Sequence, residues 1–525
     1  MSSFNFKLEK RYKTTFIATC VIGLLTHVFM LTNLLPGNDE TMFYFNLGGT
    51  RSFGRWGLYA LQMDLPFLDT SIIARYGMPW VKGSISIILL AIVACLIVYL
   101  FEIQKNILCI LTGAIIVTYP SVAATFSYMF TSSSYFIGLL LGCLAVCIAK
   151  RIWNGKITLK CVWGGGLASC ILMLSLSIYQ AYFCVAIGLF VSDLILQCLR
   201  KNVKFASVFK CCFFYLAVII LGLVFYYISI QIMLAYFWPT LSSYQGIGDL
   251  ATGGIGNMIK VVFFGTERAY KSFFDVPFLI SETLKIRRIF YLVIGVTALI
   301  QVAVLAWEGG IYKSIKAGLL IVLLSIYPLA VNSVYLMGST GVSSLMMYCT
   351  AVPLLLELVF LQRVVEETVL AQKIHIKKLI YSFPIICVIF LSYQHYLISN
   401  ECYNRQYFTY EQTYGYMNRV AYAIQSCEGY NSDTPVMLSG KIEKEVTMPE
   451  FDKLNYITGI FGESDLINGY SREEFIRRYC GLPIKKADEE LRDQVVASSE
   501  FVEMPIYPDK NSVKIINGCL VVKFE

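Results

Sequence analysis

The stretch "SISIILLAIVACLIVYLF", Ser84 to Phe101, runs for eighteen residues without a charge, and its reading decides the fold. Roughly 20 apolar residues in a helix span the hydrocarbon core of a bilayer, where the backbone has to satisfy its own hydrogen bonds. Working outward, comparable runs recur at Thr14–Leu35, Ile107–Ala124, Ser134–Ala149, Lys160–Ser177, Gln180–Leu199, Val208–Tyr236, Ile289–Trp307, Ile315–Leu336, Ser343–Leu361 and Leu379–Ser399. With 57% hydrophobic and 15% charged residues, lipid is the solvent this chain is written for. The expected fold is a polytopic α-helical membrane protein of about eleven transmembrane helices. The first run lacks a small-residue cleavage site and reads as a retained helix rather than a signal peptide.

Orientation follows from Lys and Arg in alternate loops, because positive loops stay in the cytoplasm. One set holds Lys7, Lys10, Arg11 and Lys13, then "AKRIWNGKITLK", "LRKNVKFASVFK", "YKSIK" and "QRVVEETVLAQKIHIKK". In the other set, "YPSVAATFSYMFTSS" and "MGSTGVS" carry no Lys or Arg. The N-terminus is therefore expected inside and, after an odd number of crossings, the C-terminus outside. The expected division is a membrane domain of residues 1–399, with outer loops 36–83 and 237–288, and an external domain of residues 400–525.

The tail differs in charge. It holds 20 Asp+Glu and 14 Lys+Arg, a net of −6, which leaves +14 on the membrane part out of the overall +8. The basic excess thus belongs to the membrane loops and implies lipid partners, with no nucleic-acid patch. In the tail, "NRQYFTYEQTYGYMNRVAYAIQSC" reads as an amphipathic helix and "TPVMLSG" as a strand. "SREEFIRRYC" reads as a helix opened by a Ser471-to-Glu474 capping box, and "SVKIINGCLVVKF" as a hairpin about Asn517-Gly518. A small C-terminal extracytoplasmic α/β domain is expected. Thirteen of the 17 cysteines lie in or beside apolar runs, and none has metal-site spacing; Cys402, Cys427, Cys480 and Cys519 in the tail are candidates for external disulfides, with neither pairing nor redox state fixed by the sequence.

Transporters carry ionisable residues inside their spans. Here the spans hold Asp193 near an inner end and Glu357 in a helix interrupted by Pro353, and neither reads as a transport site. The polar residues gather in the outer loops instead. In "LLPGNDETMFYFNLGGTRSFGRWGLYAL", Leu34 to Leu61, Pro36-Gly37 ends the first span and sets Asp39 and Glu40 at the bilayer surface. Asn38 caps a short helix expected to end at Gly48-Gly49, and that cap suits the acidic pair to the helix dipole. The same rigid carboxylates suit a general base, which takes the proton of an attacking hydroxyl. Nearby cations for a leaving phosphate are Arg55 first, then Arg51, Arg75 and Lys82.

Further polar features are Tyr179 and Gln180 in "SIYQAYF", with Trp56, as sugar-binding candidates, and the hydroxyl-rich stretch Ser127–Phe136, read as an outer loop. Arg268, Lys271, Arg287 and Arg288 lie outside, against the positive-inside trend, which marks them as phosphate-binding candidates. His27, His375 and His395 carry no signal of their own.

The acidic pair, "FGRW" in the same loop, the later "SIYQAYF" and the external tail resemble the bacterial GtrII-type glucosyltransferases that modify O-antigen. In that family the first external loop has two aspartates followed by Gly-Arg. Asp39 matches the first position, Glu40 replaces the second, and Gly54-Arg55 matches the Gly-Arg. The replacement leaves open which carboxylate is the base. The resemblance implies a GT-C-like enzyme in the bacterial inner membrane. It would transfer glucose from a polyprenyl-phosphate carrier to a cell-surface polysaccharide by a single inverting displacement. Some related enzymes bind a divalent metal near the acidic pair and others do not, so the cofactor stays open. The alternatives are a lipid-linked oligosaccharide flippase or transporter, and a non-catalytic scaffold that binds surface glycan.

Overall fold

A computed structural model of the chain describes residues 9–42, 50, 52–65, 70–71, 76–237, 240–241, 254–274, 285–336, 342–368, 374–442, 457 and 467–525. Its first half comprises α1 (Lys10–Thr32), α2 (Asn38–Met42), α3 (Trp56–Gln62), a two-residue ladder of β1 (Asp64–Leu65) and β2 (Thr70–Ser71), α4 (Pro79–Leu100), α5 (Asn106–Thr118), α6 (Pro120–Phe126), α7 (Met129–Ile152), α8 (Leu159–Ile178), α9 (Tyr182–Leu199) and α10 (Phe205–Tyr236). There follow α11 (Gly254–Phe274), α12 (Lys285–Glu308), α13 (Lys316–Val331), α14 (Val352–Glu367) and α15 (Ile374–Gln425).

Among the described residues nine helices are long and apolar enough to cross a membrane, or ten if the bent pair α5–α6 is one span. The chain is a membrane protein with fewer long spans than the eleven runs suggested, for two local reasons. Pro120 lacks the N–H that would continue α5, and the pair bends by 42° at that point. The run 315–336 yields only the 16-residue α13, which contains Pro328 and gives way to a 3₁₀ turn at Ser333–Leu336. Two other expectations are corrected. Pro353 sits in the first turn of α14, where a missing N–H costs nothing, so it starts that helix instead of breaking it. The stretch 127–136 is not an outer loop, because α7 begins at Met129 and buries Ser132, Ser133 and Ser134.

Polar contacts sort the helix termini into two ends of the bundle. At one end Arg11 reaches the Ile103 carbonyl at 3.4 Å, Arg200 pairs with Glu102 at 3.0 Å, and Lys150 pairs with Asp193 at 2.9 Å. There too Lys316 donates to the Arg200 carbonyl at 2.7 Å and Arg363 to the Leu196 carbonyl at 2.9 Å. At the other end lie α2, α3, the first turn of α7, the α8–α9 turn and the last turns of α10. Asp193 and Glu357 are both bonded inside: Asp193 also accepts from Tyr215 at 2.8 Å, and Glu357 from Gln301 at 2.8 Å. Buried His27 bridges Tyr403 (2.6 Å) and the Val117 carbonyl (2.8 Å), which pins α1 to α15 and α5.

The helix α15 runs for 52 residues, so the position where the tail was expected to begin falls within one continuous helix. Beyond it come β3 (Pro435–Ser439), α16 (Arg472–Arg478), β4 (Lys485–Lys486), α17 (Glu489–Val496), α18 (Ser499–Val502), β5 (Val513–Ile516) and β6 (Cys519–Lys523). The strands form one sheet in the order β4-β3-β6-β5, with β3 parallel to both neighbours and β5–β6 an antiparallel hairpin. Asn517 (φ 50°) and Gly518 (φ 76°) turn that hairpin with both central residues left-handed, as a two-residue loop prefers. Alternation along the strands covers both faces. Leu438, Leu520 and Val522 pack with Met417, Val420 and Ile424 of α15, whereas Met437, Cys519 and Val521 pack with Val495 and Met504. No disulfide joins the tail cysteines; Cys402 and Cys519 are each buried in apolar surroundings, and all 17 cysteines are thiols.

Candidate functional site

The acidic pair divides its two side chains between two neighbours. Glu40 turns into the bundle and is 2% exposed. Its Oε2 accepts from the Phe130 N–H at 3.4 Å, in the first turn of α7, where backbone donors have no partner within their own helix. Around the same residue, Lys82 of α4 and Gln62 of α3 donate to the Phe130 carbonyl at 2.5 and 2.7 Å. Both are fully buried, and the Lys82 amine lies close enough to Glu40 to act on its charge. The other oxygen of Glu40, Oε1, is buried with no hydrogen-bond partner among the described residues.

Gly77 packs directly on that oxygen. A Cβ on Gly77 would run into the Glu40 carboxylate, so a larger residue fits only if that side chain shifts. Gly77→Ala is expected to push Glu40 off the Phe130 N–H and to lower the melting temperature in detergent, at a cost of about 1–3 kcal/mol. An unchanged melting temperature would mean that α2 moves aside freely.

Burial pushes the Glu40 carboxyl up from 4.5 to about 7, against the Phe130 N–H, Lys82 and the Met129 N–H, which pull it down. A carboxyl whose folded pKa is raised disfavours its own charged form in the fold. The cost is absent below the unfolded value, grows as pH rises through it, and is complete above about 7. Removing the charge should therefore help more at high pH. The melting temperature of Glu40→Gln relative to wild type is expected to be higher near pH 8 than near pH 5, by up to about 3 kcal/mol in stability. A difference that does not change with pH would contradict the burial of the charged group.

Asp39, one residue earlier, points the other way and is only partly buried. The hydroxyl of Tyr470, just before α16, donates to its carboxylate. Burial lifts the Asp39 carboxyl above the ordinary aspartate range, and the Tyr470 hydrogen bond opposes that lift. Asn38 does not cap α2 with its side chain. Its Oδ1 instead accepts from the Asn468 N–H at 3.3 Å and lies 3.1 Å from Ser471 Oγ. The same geometry removes the expected capping box: Ser471 makes no side-chain cap on α16, and Glu474 pairs with Arg477 (2.9 Å) and Arg478 (3.0 Å).

Arg55 bonds to α7 as well, the helix that Glu40 meets. Gly54 takes φ 69°, a left-handed conformation that favours glycine, and its carbonyl accepts from Tyr226 at 3.2 Å. The chain thereby turns into α3, and Arg55 donates to the Tyr135 hydroxyl at 3.0 Å and to Gln180 Oε1 at 3.3 Å. Its guanidinium lies over the rings of Tyr179 (5.0 Å) and Phe53 (5.5 Å). Gln180 is fixed in turn by bonds to the Phe53 carbonyl and Tyr226, both 2.8 Å, and Tyr179 stacks on Tyr135 at 4.4 Å. Trp56 sends its N–H to Ser229 at 2.9 Å and ties α3 to α10. Glu40 and Arg55 thus meet α7 at Phe130 and Tyr135, five residues and about 7.5 Å of helix rise apart.

The structure brings together Asp39, Glu40, Arg55, Trp56, Tyr179, Gln180 and Lys82 at one end of the bundle. It leaves others aside. Arg268 lies on α11, donates to the Phe264 carbonyl one turn back, and sits on a helix that packs against α13 and the 3₁₀ turn after it rather than α7. Arg288 is exposed at the head of α12. Arg51, Arg75 and the side chain of Arg287 lie outside the described residues. Gln62 and Tyr470 were not picked out from the sequence, and the first turn of α7 was picked out only as part of a hydroxyl-rich outer loop. Gln62 looks like one more polar residue in a short amphipathic helix, and Tyr470 lies 430 residues and more from its partner. Among the described residues no three His, Cys, Asp or Glu side chains are grouped to hold a metal ion.

The chain matches the family described as Glucosyl transferase GtrII over residues 28–356, more than half its length and from within α1 to within α14. The comparison with curated proteins found no match, and the comparison with solved structures found none.

Proposed function

The chain belongs to the GtrII glucosyl transferase family, and on that premise we propose that it moves glucose from a polyprenyl-phosphate carrier to a cell-surface polysaccharide such as O-antigen. The reading places it in the bacterial inner membrane as a GT-C-like enzyme, with the α2 end of the bundle and the tail outside and the N-terminus in the cytoplasm. The cluster of Arg11, Lys150, Arg200, Lys316 and Arg363 at the opposite end supports that orientation.

The observation that carries the reading is that Glu40, next to Asp39 in α2, and Arg55 both bond to the first turns of α7. In the reaction Asp39 takes the proton of an acceptor hydroxyl as its oxygen attacks the anomeric carbon. The bond from that carbon to the phosphate oxygen breaks with inversion, and polyprenyl phosphate leaves with the bonding pair. The base needs to reach the acceptor, and Asp39 is the accessible member of the pair. Glu40, enclosed beneath Gly77 and tied to α7, holds the short helix that carries Asp39. Arg55, oriented by Tyr135, Gln180 and the Tyr179 ring, faces the charge that develops on the phosphate. Tyr179 is buried beneath Arg55, so its part is to orient the guanidinium, and Gln180 is the half-buried residue of that turn left as the sugar-side candidate.

The test is transfer of labelled glucose from polyprenyl-phosphate glucose to surface glycan in membranes carrying the wild-type chain. Labelled glycan from the lipid donor supports the reading. Labelling that requires a nucleotide sugar, in membranes unable to make the lipid-linked form, overturns the donor assignment.

A further inference from the structure

The short helix that carries the acidic pair is gripped from two sides. Five residues are too few to hold a helix in water by themselves, so the geometry of α2 comes from its neighbours. The bundle holds Glu40 through Phe130. The tail holds nearly everything else. Tyr470 donates to Asp39, Asn468 and Ser471 meet Asn38, and Arg478 donates to the Thr41 carbonyl. From α15, Gln406 donates to the Leu35 carbonyl at 2.7 Å, directly ahead of α2. Between these grips lies a small cleft lined by Pro36, Asn38, Thr41, Tyr410, Ile467 and Phe475.

We propose that Tyr470 is a positioning residue of the transfer reaction: its hydroxyl, delivered by the tail, sets the orientation of the Asp39 carboxylate. This rests on Asp39 being the base. The tail then works as part of the active site, whatever else it binds. Two features of the geometry favour the assignment over simple docking. The contact falls on the carboxylate itself and not on the backbone of α2, and a hydroxyl donor leaves one carboxylate oxygen for the acceptor's proton. Among the described residues the charged groups around α2 are Glu40 on the same helix, Lys82 on the bundle side, and Glu474 with Arg478 on α16. Arg478 is engaged by Glu474 at 3.0 Å and by the Thr41 carbonyl, which leaves the Tyr470 hydroxyl as the group that the described tail brings to Asp39.

The experiment compares Tyr470→Phe, Ser471→Ala and Asp39→Asn with wild type as full chains in membranes, using polyprenyl-phosphate glucose across a pH series. Tyr470→Phe is expected to lower kcat about tenfold with KM for the lipid donor little changed, at the low end for a hydrogen bond to a charged group. Its loss also removes an interaction that favours the charged carboxylate. The base is active when deprotonated, so the acidic limb of the pH profile is expected to move to higher pH. Ser471→Ala, which removes hydroxyl contacts to Asn38 and Asn468 and none to Asp39, is expected to keep the wild-type limb. If Asp39→Asn is inactive while Tyr470→Phe keeps both the rate and the limb of wild type, the positioning role is overturned and the base assignment stands. If Asp39→Asn transfers normally, both fall.

Discussion

Asp39→Asn is expected to lower glucosyl transfer by about 10² to 10⁴-fold, the usual contribution of a general base, while expression and melting temperature stay near wild type. The separation of the two effects follows from the geometry. Asparagine keeps the size of the side chain and an oxygen to accept from Tyr470, so the dock between α2 and the tail survives. What it loses is the capacity to take a proton from the attacking hydroxyl. Glu40→Gln offers the contrast, since Glu40 is enclosed and bonded to the Phe130 N–H. Its amide oxygen can accept the same bond, so the predicted loss of rate is far smaller than for Asp39→Asn. Labelled transfer measured for both variants at equal expression decides the matter. A dead Glu40→Gln beside an active Asp39→Asn would exchange their roles.

Arg55→Ala is expected to reduce kcat by about 10² to 10³-fold, the scale on which one preorganised group stabilises transition-state charge. Arg55→Lys should recover little of it. The guanidinium uses its planar fork to reach Tyr135 and Gln180 at once while lying on the Tyr179 ring, and a single ammonium cannot reproduce that arrangement. Gln180→Ala, which removes one of the groups that orient Arg55, should fall between wild type and Arg55→Ala. Rates for the three variants with the same lipid donor give the order. A wild-type rate in Arg55→Ala would reduce Arg55 to an organiser of the turn into α3.

Membrane spans were legible because their signal is local: a run of about 20 apolar residues is enough to satisfy lipid, whatever surrounds it. Ser84–Phe101 became the greater part of α4 in this way. The hairpin at Asn517-Gly518 was legible for the same kind of reason, since left-handed backbone needs those residue types. Misreadings arose where a local signal had a distant competitor. Ser471 and Glu474 have capping-box spacing, but Asn38 and Asn468 take the serine and two arginines take the glutamate. The serines at 132–134 look like a polar loop, yet they lie in the buried first turns of α7.

By itself the sequence determined that the chain is a membrane protein, where its apolar helices run, and that an acidic pair and a Gly-Arg sit in one loop. These depend on composition and on contacts within a few residues. Only the tertiary structure decided that Glu40 is enclosed and Asp39 accessible, because adjacent residues of a helix point about 100° apart and their neighbours decide which side is buried. It alone brought Arg55 to Tyr135 and Gln180, and Tyr470 to Asp39 across more than 400 residues. No spacing rule encodes such pairs. They arise when apolar helices pack to fill space and their few polar side chains are left to find partners inside.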